Sequence, residues 1–404
     1  MRRHACAHCA RLSAQYRRTV GLTSSLLLRP PAAVLRKPFV LDQRFALSSS
    51  HPSSSTGTAH ILRSYIHTPN PPLSTIPNHT MSDKRLQDAS PAELVRDLAL
   101  STSGAAARIE ELCVYRVEEA KAKTSANVGD ANDSNTDTPG LESFLYELWS
   151  EVVRMAQEDD MYHARLLEIL AELKKTENAE LKKTENDELK KTVRNWRVWG
   201  APASLSELST FGAVARDGFE APKVEINGKV IRTTPEDASL FASDATDAAD
   251  ARTLAFTAAR QRYLRLHRFL ACVWAAGLWP CADLALWTMR DALEYDPNHT
   301  TYKRVPRALK VEAAAQWAVH AGRAMYECKE IMGPKGNANW PANAGAPGRG
   351  GDKWEGVDGY DAARWRLWRE EFVRIAEEEG ERENVRRAAK EAAEAMRKVE
   401  EESG

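Results

Sequence analysis

Leu254-Ala-Phe-Thr-Ala-Ala-Arg-Gln-Arg-Tyr-Leu-Arg-Leu-His-Arg-Phe-Leu-Ala-Cys-Val-Trp274 is the stretch that decides the fold. Its apolar side chains recur at intervals of three and four residues, as in an amphipathic α-helix. Toward Trp274 they surround the helix axis, which is typical of a central helix. The pattern predicts a helix from Ala248 to Gly277 that Trp279-Pro280 ends or kinks. The positions that carry it are Leu254, Ala258, Tyr263, Leu266, Phe269, Leu270, Val273 and Trp274.

The same rhythm continues on both sides of this stretch and predicts an all-α fold. All eleven Trp residues lie between Trp149 and Trp368. We therefore expect an irregular multi-helix bundle in which indole side chains from distant segments meet in one buried interior. Trp317, Trp365 and Trp368 are the indoles that we expect to matter most for stability. Further helices are predicted from Leu141 to about Leu173, over Leu284 to Leu293, over Val311 to Tyr326, over Trp365 to Ile375 and over Val385 to Val399.

Three local signals indicate where elements begin or turn. Ser90-Pro91-Ala92-Glu93 is a capping box with Pro at the first helical position, so a helix should begin there. Asn227-Gly228 stands between two short β-prone arms and predicts one β-hairpin, within an insert of residues 218–247. Residues 333–359 are rich in glycine and predict a long loop.

Residues 1–80 differ from the rest of the chain in composition. They hold ten of the 56 Lys and Arg but, of the 57 acidic residues, only Asp42, so residues 81–404 carry a net charge of −10. This Arg- and Ser-rich segment is broken by prolines, and we predict a disordered leader that resembles a mitochondrial transit peptide. The alternative is that translation begins at Met81. The first interpretation places the protein in the mitochondrial matrix and the second in the cytoplasm, and both stay open.

We predict two further regions after the leader. Residues 81–140 should form the N-terminal helices and a flexible linker, and residues 141–402 the helical body. Within the body, residues 172–192 contain the eight-residue repeat Glu-Leu-Lys-Lys-Thr-Glu-Asn-Ala/Asp. Because eight residues overshoot two helical turns by about 80°, the repeated leucines wind around the axis and form no coiled-coil seam. The repeat therefore predicts a solvated helical extension.

Four groups of segments share a pattern: Phe269-Leu-Ala with Asp291-Ala-Leu-Glu294, Ala314-Ala-Gln-Trp317 with Ala321-Gly322, Arg364-Trp365-x-x-Trp368 through Phe372, and the Ala-rich helix up to Met396. Together they resemble a family of uncharacterised filamentous-fungal proteins that is known only as a domain of unknown function. The resemblance covers most of residues 90–402 and implies a helical fold, but it brings no catalytic residues with it. The eight-residue repeat, the hairpin insert and the basic leader depart from the family pattern.

The sequence contains no recognisable reaction centre. It lacks a phosphate loop, a His-Glu-x-x-His zinc pair, a Gly-x-Ser-x-Gly elbow and a dinucleotide fingerprint. We predict no catalytic, cofactor-binding or metal-binding residues, and no cofactor. Three polar groups are interpreted as structural or incidental: the helical histidines His267 and His320, the carboxylates Asp291, Glu294 and Asp296 on a solvated helix end, and the cluster His4, Cys6, His8 and Cys9 in the leader.

Arg364, Trp365 and Trp368 are the candidate binding residues, because Arg and Trp dominate the energetics of protein interfaces. The competing interpretation places both rings in the core and pairs Arg364 with a Glu. The hypothesis for function is a non-enzymatic interaction or scaffold protein with an unidentified protein partner. The alternative is an enzyme or small-molecule-binding protein with a Trp- and Arg-lined pocket between the C-terminal helices. The acidic body argues against nucleic acid as a partner, and no stretch is long and apolar enough to predict a transmembrane segment.

Overall fold

Helices account for most of the residues that this computed structural model describes. The described residues are 89–100, 104–125, 137–176, 196–219, 221–231, 233–242, 250–303 and 305–403. They all belong to one unit of the chain, Pro52–Gly404. Four predicted features lie outside the described residues: the leader with its His and Cys cluster, the Met81 start, linker residues 126–136 and repeat residues 177–192. The predicted domain boundaries stay predictions.

The described residues form ten α-helices and two short hairpins, which confirms the predicted helical fold class. Three short 3-10 helices, Asp160–Tyr162, Pro235–Ala242 and Thr300–Lys303, lie between them. None of the described helices combines the length and apolar character required to cross a membrane. The helices are α1 (Pro91–Leu100), α2 (Ala105–Ser125), α3 (Leu141–Glu158), α4 (His163–Thr176), α5 (Phe211–Phe219), α6 (Ala251–Ala275), α7 (Ala282–Leu293), α8 (Arg307–Glu327), α9 (Ala362–Glu377) and α10 (Glu383–Ser403).

The central helix α6 forms close to its predicted place. Its first turn is capped by Asp250, whose carboxylate accepts hydrogen bonds from the amides of Arg252 and Thr253. It ends before Gly277, which adopts a left-handed φ of +65°. Leu254, expected on the buried face, is exposed instead, and burial begins at Phe256.

The N-terminal helices pack into the same core as the rest of the described residues. The capping box is confirmed, since the Ser90 amide donates to the Glu93 carboxylate at 2.9 Å and the Glu93 amide to the Ser90 hydroxyl at 3.2 Å. Leu94 and Leu98 of α1 are fully buried against α3. One hydrophobic cluster extends from these residues to the helices near the C-terminus.

The prediction of one continuous helix from Leu141 to about Leu173 is wrong. Asp159 has an extended backbone (φ −152°) that ends α3, and its side chain accepts from the amide of Met161 to cap the 3-10 turn. His163 then begins α4 and contacts the carbonyl of Ala156 with Nε2 at 2.8 Å. A short polar side chain that bonds its own backbone competes with helix continuation at this position.

Two antiparallel hairpins are present where the sequence predicted one. The predicted hairpin pairs β3 (Val224–Ile226) with β4 (Lys229–Ile231) around Asn227-Gly228. It packs on α6, in a small second core that also includes Phe241 and Phe256. The additional hairpin pairs β1 (Arg197–Val198) with β2 (Ala201–Pro202).

The C-terminal helices surround α8. Helices α6, α7 and α10 each pack against α8, and α9 packs against α10. The long glycine-rich loop lies between α8 and α9, and a bridge between Ile331 and Gly359 closes its base. Most indoles contribute to the core as expected, with Trp199 as the exposed exception. The buried indoles are Trp149, Trp196, Trp317, Trp365 and Trp368, and the half-buried ones are Trp274, Trp279, Trp287, Trp340 and Trp354.

Candidate functional site

Arg364, Trp365 and Trp368, the candidate binding residues, lie on the first two turns of α9. The helix is capped by Asp361, whose side chain accepts a hydrogen bond from the amide of Ala363 at 2.7 Å. Arg364 has no solvent-exposed area, and the two indoles are 3% and 1% exposed. A ligand could therefore reach these side chains only if the surrounding core opened.

Glu294 holds Arg364 in the core. Nε and Nη2 of Arg364 donate to Oε1 and Oε2 of Glu294 at 2.7 and 3.0 Å, and neither side chain is exposed. Oε1 also accepts from Nε1 of Trp368 at 2.7 Å, and Oε2 accepts from the amide of Gly351 at 2.8 Å. The interpretation of Glu294 as part of a solvated helix end is wrong, because four donors satisfy its carboxylate inside the protein.

The remaining donors of Arg364 fix the glycine-rich loop. Nη1 donates to the backbone carbonyls of Gly348 and Gly359, each at 2.8 Å. The guanidinium also lies 5.6 Å from the ring centroid of Trp354 and 5.5 Å from that of Trp368. Both rings are therefore within cation–π range. Arg364 thus connects the start of α9 to both ends of the loop segment that follows residue 347.

Trp365 joins three helices. Its Nε1 donates to Oε1 of Glu400 on α10 at 2.8 Å, and Arg369 donates to the other oxygen of that carboxylate at 2.7 Å. The Trp365 ring meets Tyr326 of α8 edge-on, with centroids 5.2 Å apart. These contacts give the indole a clear structural role.

The two helical histidines are kept neutral by burial. Nε1 of Trp317 donates to Nδ1 of His267 at 2.9 Å, which puts the proton of the neutral ring on Nε2. Burial, and then the charge of Lys310, lower the pKa of His267 to about 3. Burial likewise lowers the pKa of His320 to about 4. Rings that stay unprotonated near neutral pH suit a structural role better than proton transfer.

The tight turn at Trp199-Gly200, which joins β1 to β2, was not predicted. Both residues lie in the left-handed region, at φ +55° and +74°, as a type I′ turn requires. Asn-Gly suits such a turn, and the other hairpin has it at Asn227-Gly228 with φ values of +52° and +74°. Because Trp carries a Cβ and a large ring, its left-handed conformation costs about 1 kcal/mol.

The side chain of Trp199 contributes to an exposed aromatic surface. Trp199 is 47% exposed, whereas Trp196 in the same segment is buried. Its Nε1 donates to Oε1 of Glu142 on α3 at 2.8 Å. Tyr146, one helical turn after Glu142, is 45% exposed. Residues four apart share a helix face, so Tyr146 lies on the same side of α3 as Glu142, which holds the indole. We name Trp199, Glu142 and Tyr146 the Trp199–Tyr146 surface.

A small cleft follows Tyr146 along α3. It has a volume of about 190 Å³, and the polar and aromatic side chains that line it include Tyr146, Ser150, Asp217, Lys223, Arg262 and Tyr263. Burial raises the pKa of Asp217, although Lys223 and Arg216 oppose this shift. Pockets for drug-sized ligands measure roughly 300–1,000 Å³, so the cleft suits a single inserted side chain better than a cofactor. Within the described part of the chain, no three His, Cys, Asp or Glu side chains are grouped to hold a metal ion.

A comparison with family models identifies the chain. The model described as "Protein of unknown function (DUF3632)" matches residues 149–372, more than half of the chain. The chain belongs to the DUF3632 family. The DUF3632 match runs from Trp149 in α3 to Phe372 in α9 and includes Trp199 and Glu294, and it confirms the expected membership of a family of unknown function. Among curated proteins no match was found, and no solved structure matches.

Proposed function

We propose that this DUF3632 protein is a non-enzymatic interaction protein that binds a partner protein through the Trp199–Tyr146 surface. The observation that carries the proposal is the exposed indole of Trp199 at a left-handed turn position. Trp is strongly enriched among the residues that dominate interface energetics. A non-glycine residue in a disfavoured conformation often marks a functional position. The exposed ring is therefore best explained by a contact outside the chain.

The competing function, small-molecule binding or catalysis at Arg364, has less support. The guanidinium of Arg364 donates hydrogen bonds to the carboxylate of Glu294 and to the carbonyls of Gly348 and Gly359, and it has no exposed area. A ligand there would have to replace a buried ion pair, which leaves charges without partners. We propose that Arg364, Trp365 and Trp368 act within the fold. The net charge of −10 over residues 81–404 favours a protein partner over a nucleic acid.

Affinity purification of the full chain tests the proposal, with wild type compared to Trp199→Asn. Asn fits the left-handed turn, as at Asn227, so the variant should fold. We expect a protein that is recovered with wild type, is identified by mass spectrometry and rebinds as a purified component, with at least about tenfold weaker binding to Trp199→Asn.

Val230→Thr is the matched control for this experiment. Val230 is 66% exposed on β4, so the change also removes exposed apolar area from a hairpin. It should leave partner binding unchanged. Equal binding of the same purified partner to wild type and Trp199→Asn would overturn the proposal.

A further inference from the structure

Carboxylates predominate around the Trp199–Tyr146 surface. Asp137 accepts a hydrogen bond at 2.7 Å from the backbone amide that follows Trp199. Glu142 accepts from the Trp199 indole at 2.8 Å and lies one helical turn before Tyr146. The surface thus combines two exposed rings with two negative charges, Asp137 and Glu142.

Among the described residues, the cations near this surface are Arg197 on the Trp199 side and Arg154, Lys223 and Arg262 beyond Tyr146. Arg197 donates to a backbone carbonyl of its own hairpin. Arg154, two turns beyond Tyr146 on α3, pairs with two glutamates of the same helix. Lys223 and Arg262 line the cleft beyond Tyr146. The described residues thus place two carboxylates, Asp137 and Glu142, against the guanidinium of Arg197 on the Trp199 side, whereas the cleft side is more positive.

An exposed indole next to carboxylates suits a cationic side chain. Among the aromatic side chains, Trp attracts an ammonium or guanidinium group over its face most strongly. A carboxylate accepts several hydrogen bonds, and the Trp199 indole uses one acceptor position of Glu142. That hydrogen bond fixes the ring beside the charge. Charge and aromatic geometry therefore select the same kind of ligand.

We infer that the Trp199–Tyr146 surface binds a lysine- or arginine-rich segment of the partner protein. A cationic side chain of that segment lies over the indole of Trp199 and pairs with Glu142, while a neighbouring cationic side chain faces Asp137. This inference rests on the proposed function, because it names the chemistry of the partner that this surface binds.

Fluorescence anisotropy with the purified full chain and labelled peptides tests the inference. The probes are a peptide of alternating Lys and Gly and one of alternating Glu and Gly of the same length. We expect the basic peptide to bind more tightly than the acidic one, and more weakly at high salt because ions screen exposed charges. Trp199→Asn should weaken binding of the basic peptide at least about tenfold although it changes no charge.

A matched pair of double variants separates the site from the general acidity of the protein. Asp137→Asn with Glu142→Gln removes two charges at the surface and keeps both hydrogen-bond acceptors. Glu377→Gln with Glu379→Gln removes two exposed charges around the end of α9. The first pair should weaken the basic peptide about tenfold and the second much less. Equal effects of the two pairs, with no effect of Trp199→Asn, would overturn the inference and indicate diffuse attraction.

The outcomes for the proposed function and for this inference are separable. If the purified partner needs Trp199 but the basic peptide does not bind there, the surface is an interface and its ligand is not cationic. In that case the inference fails alone. If neither the partner nor the basic peptide responds to Trp199→Asn, both proposals fail.

Discussion

Glu294 and Arg364 form a two-bond ion pair, at 2.7 and 3.0 Å, in which neither side chain has any solvent exposure. They are 70 residues apart in the chain. A buried ion pair contributes little more than an apolar pair would, but removal of one partner leaves an unpaired charge in the core. The pair therefore fixes the position of α9 and the glycine-rich loop relative to α7.

Glu294→Gln should lower the free energy of unfolding by about 3–5 kcal/mol, because Arg364 loses its buried counter-charge. Urea unfolding measures this difference. The control is Glu378→Gln, which breaks an exposed pair with Arg374. This control should cost at most about 1 kcal/mol. A loss below about 1 kcal/mol for Glu294→Gln would show that the buried pair does not constrain the fold as described.

Trp317→Ala should cost about 3–5 kcal/mol, because it leaves a cavity in the core and removes the donor that His267 accepts from. Val319, two positions further on α8, is 42% exposed. Val319→Ala should therefore cost at most about 0.5 kcal/mol. Thermal and urea unfolding of both variants compare the two positions. Similar losses for the two would contradict the assignment of Trp317 to the core.

The sequence predicted those parts of the fold that depend on neighbours within one element. Periodicity located the central helix, because helix α6 buries a face that repeats every three to four residues. The Ser90 capping box and the Asn227-Gly228 turn were found because each needs only a few consecutive residues. The Trp residues at helical spacing were correctly expected to form a shared core, apart from Trp199.

The features that sequence did not predict depend on distant partners or on unusual choices of residue. Glu294 looked solvated, because Arg364 lies too far along the chain to be assigned as its partner. The break at Asp159 was missed since the apolar rhythm continues through it. The first hairpin was missed because its turn has the sequence Trp199-Gly200, whereas Asn-Gly is the usual pair in such a turn. Gly200 between two short arms was the only local signal for it. These failures include the turn on which the proposed function rests.

Acid should destabilise the protein through its buried histidines. His267 has a pKa of about 3 in the folded chain and an ordinary value of 6.5 in the unfolded chain, so the unfolded state binds more protons between these values. The stability that depends on a neutral His267 is fully present above pH 6.5 and is lost as the pH falls toward 3. The loss amounts to about 1.4 kcal/mol per pH unit.

Urea unfolding between pH 7 and the acid limit of folding measures this dependence. His267→Gln cannot titrate at this position. The slope of its unfolding free energy against pH should therefore be shallower than that of wild type, by an amount that corresponds to about one bound proton. His320 adds its own smaller contribution because its pKa is about 4. An unchanged slope in His267→Gln would contradict the assigned proton state.

A fusion of residues 1–80 to a fluorescent protein separates the two open interpretations of this segment. If it is a transit peptide, as its many Arg residues and single acidic residue, Asp42, suggest, the fusion should reach mitochondria. Fluorescence microscopy against a mitochondrial marker measures this. Replacement of Arg11, Arg17 and Arg18 by Gln should make the signal diffuse. A diffuse signal from the unchanged segment would instead favour the cytoplasm and a start at Met81.

The central claim is that Trp199 is exposed for a partner and is not needed by the fold. Trp199 and Asn227 occupy equivalent left-handed positions in the two hairpin turns. Replacing each residue by the other type, as Trp199→Asn and Asn227→Trp, therefore tests the claim directly. Asn227→Trp should lower the free energy of unfolding by about 1 kcal/mol, the cost of a bulky side chain at such a position.

The decisive measurement is the free energy of unfolding of Trp199→Asn in urea. Relief of the turn should offset the lost hydrogen bond to Glu142, so we expect a value equal to wild type or up to about 1 kcal/mol higher. A value more than about 1 kcal/mol lower than wild type would show that the fold itself requires the indole, and would contradict the account.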